Sequence, residues 1–117
     1  MNVLIIEDCP KLNKLWADQA RKKNHKVEQS FDLQDAVGAL RIGKFDLIFC
    51  DIDLGSGRNH GPKALLQSEL HGARIVFMTA QTEDESNANI QPVLDAGYKV
   101  ECLRKPIEVK RFLEILK

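Results

Sequence analysis

The stretch "KFDLIFCDIDLG", residues 44–55, sets four consecutive apolar residues, Leu47-Ile48-Phe49-Cys50, directly against two aspartates and a glycine. A short apolar run without a polar alternate is the mark of a strand buried on both faces, as in parallel sheets covered by helices. Its carboxyl end then receives Asp51 and Asp53, charges for which a strand as such has no use. Four further strand-like runs flank it: "NVLII" (2–6), "HKVEQ" (25–29), "RIVFMT" (74–79) and "VECL" (100–103).

Helical spacing fills the gaps. After Pro10, the residues Leu12, Leu15, Trp16 and Ala20 predict one apolar helix face extending to about Lys23. Asp32 predicts the cap of a second helix with the face Leu33, Ala36, Val37 and Leu40, stopped at Gly43. A third is predicted from Pro62 through Leu65, Leu66 and Leu70 to Gly72. The last, "PIEVKRFLEILK", presents Ile107, Val109, Phe112, Leu113 and Leu116. The stretch "AQTEDESNANIQPVLDAG" (80–97) is polar at first and carries Pro92, which breaks helices internally. It predicts a long connection and only a short helix from about Gln91.

Alternating strands and helices imply a parallel sheet with right-handed crossovers, and five such units are too few for a barrel. An α/β open, doubly wound five-stranded parallel sheet with helices on both faces is expected. At 117 residues the chain reads as one domain, 1–117. Seventeen basic and seventeen acidic residues cancel, so the footprint of a nucleic-acid or anionic-membrane binder is missing. No apolar run approaches the roughly 18–20 residues that span a bilayer, and no signal peptide is expected. Three widely spaced cysteines without a C-x-x-C pair argue against a disulfide framework and for a cytoplasmic location.

In open α/β sheets the ligand site lies beyond the carboxyl ends of the strands. The first run ends in Glu7-Asp8, the third in Asp51 with Asp53 beyond, the fourth in Thr79, and the fifth leads to Lys105-Pro106. Carboxylates gathered at one edge repel each other unless a cation neutralises them. Oxygen ligands without histidine suit Mg²⁺ or Mn²⁺. A lysine and a hydroxyl facing a carboxylate are what a phosphoryl group needs.

These motifs together, the acidic pair in "VLIIEDCP", the aspartate in "DLIFCDIDL", "VFMTA" and "LRKPI", resemble a response-regulator receiver domain, the phosphoacceptor module of two-component signalling. The resemblance covers the whole chain and implies a flavodoxin-like sheet of order 2-1-3-4-5. It implies Asp51 as phosphoacceptor, with Asp8 and Asp51 as direct Mg²⁺ ligands. Glu7 would act through a metal-bound water, and the Asp53 backbone carbonyl would be a further ligand. Lys105 would pair with phosphoryl oxygens, across a Lys105-Pro106 step that is commonly cis in the family, and Thr79 would close on the phosphoryl group. The implied donor is a phosphohistidine on a sensor histidine kinase or histidine phosphotransfer protein. The output would be contact with a downstream protein target.

Departures from the family pattern fall on the output side. The family's switch aromatic, three positions before the lysine, is Cys102 here, and Tyr98 is too distant in sequence to stand in for it. The glycine-rich "GSGRNHGP" after the acceptor and the connection after Thr79 are both longer than usual. They bear on the face of helix 4, strand 5 and helix 5, a possible homodimer surface. Asp53, Ala80 and Gln81 are read as tuning residues, with Asp53 expected to alter the phosphoryl lifetime. Arg58 and His60 are read as solvent-facing rather than catalytic, and the cysteines as small hydrophobes.

Two other readings stay open. "FCDIDLG" resembles the first motif of haloacid-dehalogenase-type phosphatases, where the first Asp is nucleophile and the second general acid/base. That family needs a later acidic metal motif, for which only Glu108 and Glu114 remain. A receiver-like interaction module that is never phosphorylated is the third. With the chain ending in a fifth helix, a stand-alone receiver or the N-terminal part of a longer regulator is expected.

Overall fold

The computed structural model describes residues 1–54 and 60–117. Five strands, β1 (Asn2–Ile6), β2 (Lys26–Ser30), β3 (Leu47–Asp51), β4 (Arg74–Thr79) and β5 (Val100–Arg104), alternate with five helices. These are α1 (Pro10–Lys22), α2 (Leu33–Ile42), α3 (His60–Leu66), α4 (Glu83–Asp95) and α5 (Val109–Ile115). All strand pairs are parallel, in the order β2-β1-β3-β4-β5. This is the flavodoxin-like doubly wound sheet.

The continuous apolar runs bury both sides of the sheet. Leu4, Ile6, Ile48, Cys50, Ile75 and Phe77 face one core with α2, α3 and α4. Their alternates Val3, Ile5, Leu47, Phe49, Val76 and Met78 face the other, with α1 and α5. The two-residue period of a strand produces this sorting. On the second side Phe112 of α5 is the hub, with ring centroids 4.7 Å from Trp16 and 4.5 Å from Phe49.

The α1 face is turned from the predicted one. Asn13, Trp16, Ala17 and Ala20 are buried, while Leu15 is 37% exposed. The inward stripe starts from a polar residue, which the apolar pattern concealed. In α2 the expected cap holds, the Asp32 side chain accepting from the Asp35 N–H at 2.7 Å, and Gly43 ends the helix. Helix α3 begins earlier and ends sooner than predicted: Leu66 is 44% exposed, and Leu70 is buried beyond the helix.

The reading of residues 80–97 is corrected. Helix α4 starts at Glu83, because Thr82 and Glu85 form a reciprocal capping box. The acids Glu83, Asp84 and Glu85 occupy its first turn, where the helix dipole favours them. Ser86, Ile90 and Val93 make the buried stripe, and Ser86 is accommodated because its hydroxyl donates to the Glu83 carbonyl at 3.1 Å. Pro92 lies near the end of the helix, where a single lost backbone hydrogen bond does not stop the preceding turns.

Candidate functional site

The register aligns the chemistry. Ile6 is level with Cys50, so Glu7 follows β1 beside Asp51, and Asp51 is level with Met78. Thr79 pairs with Arg104, which places Lys105 directly beyond. The Lys105 N–H donates to the Thr79 carbonyl at 2.7 Å, and the Lys105-Pro106 peptide is cis.

Glu7, Asp8 and Asp51 each offer a carboxylate oxygen within 4.8 Å of the others. Glu7 is fully buried, Asp51 is 7% exposed and Thr79 1%. The Lys105 ammonium bridges the two buried acids, donating to Glu7 Oε1 at 2.7 Å and to Asp51 Oδ2 at 3.0 Å. Burial pushes the Glu7 carboxyl up to about 7, against the opposing pull of Lys105. Burial likewise raises Asp51, again with Lys105 opposing. Burial works against the Lys105 charge, but hydrogen bonds and charges of Glu7 and Asp51 outweigh it and raise its pKa. One lysine thus offsets part of the cost of several buried carboxylates. The remainder is an anionic pocket of hard oxygen donors, which fits Mg²⁺ or Mn²⁺.

The backbone here is held by groups that the sequence reading missed. Asn13, fully buried, donates through Nδ2 to the carbonyls of Glu7 at 2.9 Å and Ser30 at 3.0 Å, and accepts from Gln29 Nε2 at 2.9 Å. It ties α1 to the ends of β1 and β2, beside the acidic pair. Gly61 in α3 lies against β3: a Cβ there would sit 1.9 Å from the Asp51 carbonyl oxygen. The Cys50 thiol, buried, donates to that same carbonyl at 3.2 Å, and burial raises its pKa well above the ordinary range. It packs as a small hydrophobe.

Asp53, Thr79 and Gln81 form a network of their own. Gln81 Nε2 donates to Asp53 Oδ2 at 2.9 Å, and the Gln81 N–H donates to Thr79 Oγ1 at 2.9 Å. Ala80 is exposed beside them, and Cys102 is exposed on β5. Tyr98 packs against the core formed with α2, α3 and α4. His60 is half-buried at the start of α3, whereas Arg58 and the rest of the glycine-rich segment 55–59 lie outside the described residues.

The sequence model of the response regulator receiver domain matches residues 3–117. The chain belongs to that family. Receiver domains are the phosphoacceptor modules of two-component signalling and bind Mg²⁺ in an acidic pocket. A two-component response regulator from Clostridium difficile is 24% identical with a TM-score of 0.80, covering 100% of this chain and 93% of that one. A CheY-like receiver domain protein from Methanospirillum hungatei is 19% identical with a TM-score of 0.81, covering 98% and 89%. The receiver domain of a Pseudomonas aeruginosa sensor histidine kinase, solved with magnesium in its active-site cleft, is 22% identical with a TM-score of 0.77, covering 98% and 93%. Comparison with curated protein sequences gave no match. Membership in the receiver family removes the haloacid-dehalogenase reading of "FCDIDLG". No helix among the described residues is long and apolar enough to cross a membrane.

Proposed function

We propose that this receiver is a working phosphoacceptor, with Asp51 taking a phosphoryl group from a phosphohistidine on a sensor histidine kinase or phosphotransfer protein. The observation that carries the reading is the Lys105 ammonium bridging Glu7 and Asp51 inside a three-carboxylate cluster. An interaction module that is never phosphorylated has no need of this set, and its burial is costly to keep.

In the proposed step an Asp51 carboxylate oxygen attacks phosphorus in line with the departing imidazole nitrogen. The O–P bond forms as the P–N bond breaks, and the histidine, whose other ring nitrogen carries a proton, leaves as neutral imidazole. Lys105 balances charge on the phosphoryl oxygens, and the Thr79 hydroxyl donates to one of them. Asp8, Asp51 and the Asp53 carbonyl would hold Mg²⁺, with Glu7 acting through a metal-bound water, and the ion would supply neutralisation of the oxygen charge on the transferring group. The sheet edge fixes these groups before the donor arrives, so positioning is most of the catalysis. A single domain over 1–117, working in the cytoplasm through contact with a protein target and with a homodimer on the α4–β5–α5 face, completes the proposal.

Incubation with Mg²⁺ and acetyl phosphate, followed by intact mass, tests it. Wild type gains one phosphate and Asp51→Ala gains none. No gain in wild type from acetyl phosphate or phosphoramidate favours the interaction-module reading instead.

A further inference from the structure

Gln81 is tied to four parts of the fold. Its N–H donates to Thr79 Oγ1 and its Nε2 to Asp53 Oδ2, both at 2.9 Å. Its Oε1 accepts from Asn89 Nδ2 of α4 at 2.9 Å, and its carbonyl accepts from the Arg104 guanidinium of β5. A carboxylate only accepts, so Asp53 obliges Gln81 to present its amide N–H; Gln81 Oε1 then faces Asn89, which must present its own N–H. The polarity of the whole chain is set at the acidic end, two residues past Asp51.

We propose that Gln81 is the positioning residue that couples the phosphorylation site to α4, through Asn89. The inference rests on the phosphoacceptor reading of Asp51. A phosphoryl group on Asp51 brings acceptor oxygens that compete for the donors now on Asp53 and Thr79. The Thr79 hydroxyl turns to the phosphoryl group and ceases to accept from the Gln81 N–H. The Gln81 amide follows the stronger acceptor, and Asn89 loses its partner. Helix α4 is suited to respond, because only Ser86, Ile90 and Val93 bury it and Pro92 weakens its last turns.

Hydrogen exchange of residues 83–95, read with and without acetyl phosphate and Mg²⁺, tests this beside intact mass. Wild type exchanges faster on phosphorylation by roughly two- to tenfold, the equilibrium factor of one net hydrogen bond. Unphosphorylated Gln81→Ala and Asn89→Ala exchange at that faster level from the start, and phosphorylation adds nothing. Gln81→Glu, which sets a carboxylate against Asp53, does the same. Phosphate uptake with unchanged α4 exchange in wild type, or with the full change retained in Gln81→Ala, overturns the coupling alone. Absence of uptake in wild type overturns the phosphoacceptor reading and the coupling with it.

Discussion

Lys105 reaches Glu7 at 2.7 Å and Asp51 at 3.0 Å, so the lysine pairs at least as closely with the deeper acid as with Asp51. Glu7 has no exposed surface, whereas the Lys105 side chain keeps 21%. Lys105 therefore has a structural role before any phosphate arrives: it makes the burial of two acids tolerable. Lys105→Met removes the cation and leaves them uncompensated. Breaking a fully buried pair costs about 3–5 kcal/mol, and partial exposure of Lys105 brings the expected loss to about 2 kcal/mol. Urea unfolding at pH 8 measures it, and unchanged stability would refute the structural role. Phosphate uptake falls in the same variant.

Glu7 also predicts a pH dependence. Its carboxyl is raised from 4.5 to about 7 in the folded chain, chiefly by burial. A group that binds its proton more tightly when folded stabilises the fold while protonated. That contribution is complete below about pH 4.5 and is lost as pH rises through about 7. Asp51, also raised, acts in the same direction. Lys105 keeps its proton across this window, because its own value is raised from 10.5. In chelator, wild type should lose on the order of 2 kcal/mol between pH 5 and pH 8 from this source. Glu7→Gln should flatten that slope; an equal slope in both proteins would contradict the assignment. Bound metal requires ionised carboxylates, so Mg²⁺ should raise the melting temperature more at pH 8 than at pH 6.

The fold was legible because three strands are continuously apolar and the apolar spacing marks α1, α2 and α5, although the face of α1 is turned and most of α4 is too polar to show one. The acidic edge was legible because Glu7-Asp8, Asp51, Thr79 and Lys105 each stand at a strand end, where the topology gathers them. What escaped was polar and internal. Asn13 and Ser86 sit on inward helix faces, where an apolar pattern skips them, and their burial depends on carbonyls that only the tertiary structure brings near. The Thr82–Glu85 capping box is present in the sequence, but the polar run that follows it and Pro92 obscure the helix it starts. A proline near a helix end breaks far less than one at its middle.

Asn13 makes the cost of such a residue measurable. It serves the carbonyls of Glu7 and Ser30 from a position with no solvent. Asn13→Ala leaves both without its donors, for an expected loss of about 1–3 kcal/mol. Asn13→Leu, which keeps the volume but not the donors, should rescue little of it. Thermal unfolding of the two variants separates lost hydrogen bonding from lost packing; a stable Asn13→Leu protein would show that the amide is dispensable.

Two glycines should respond to alanine in opposite directions. Gly61 lies against β3, where an added Cβ would approach the Asp51 carbonyl oxygen at 1.9 Å and Cys50 Sγ at 2.9 Å. The carbonyl cannot yield without moving the strand that carries Asp51, so α3 must retreat or Asp51 must shift. Gly61→Ala should cost about 1–3 kcal/mol, as overpacking does, and should slow phosphate uptake. Gly38, inside α2, has nothing within 4 Å of its added Cβ. There alanine only removes the entropic cost of glycine in a helix, so Gly38→Ala should stabilise by about 0.5–1 kcal/mol and leave uptake unchanged. Melting temperatures and the rate of mass gain from acetyl phosphate, compared in the two variants, check both signs. A tolerated Gly61→Ala with normal uptake would mean that contact between α3 and the Asp51 carbonyl does not hold Asp51 in place.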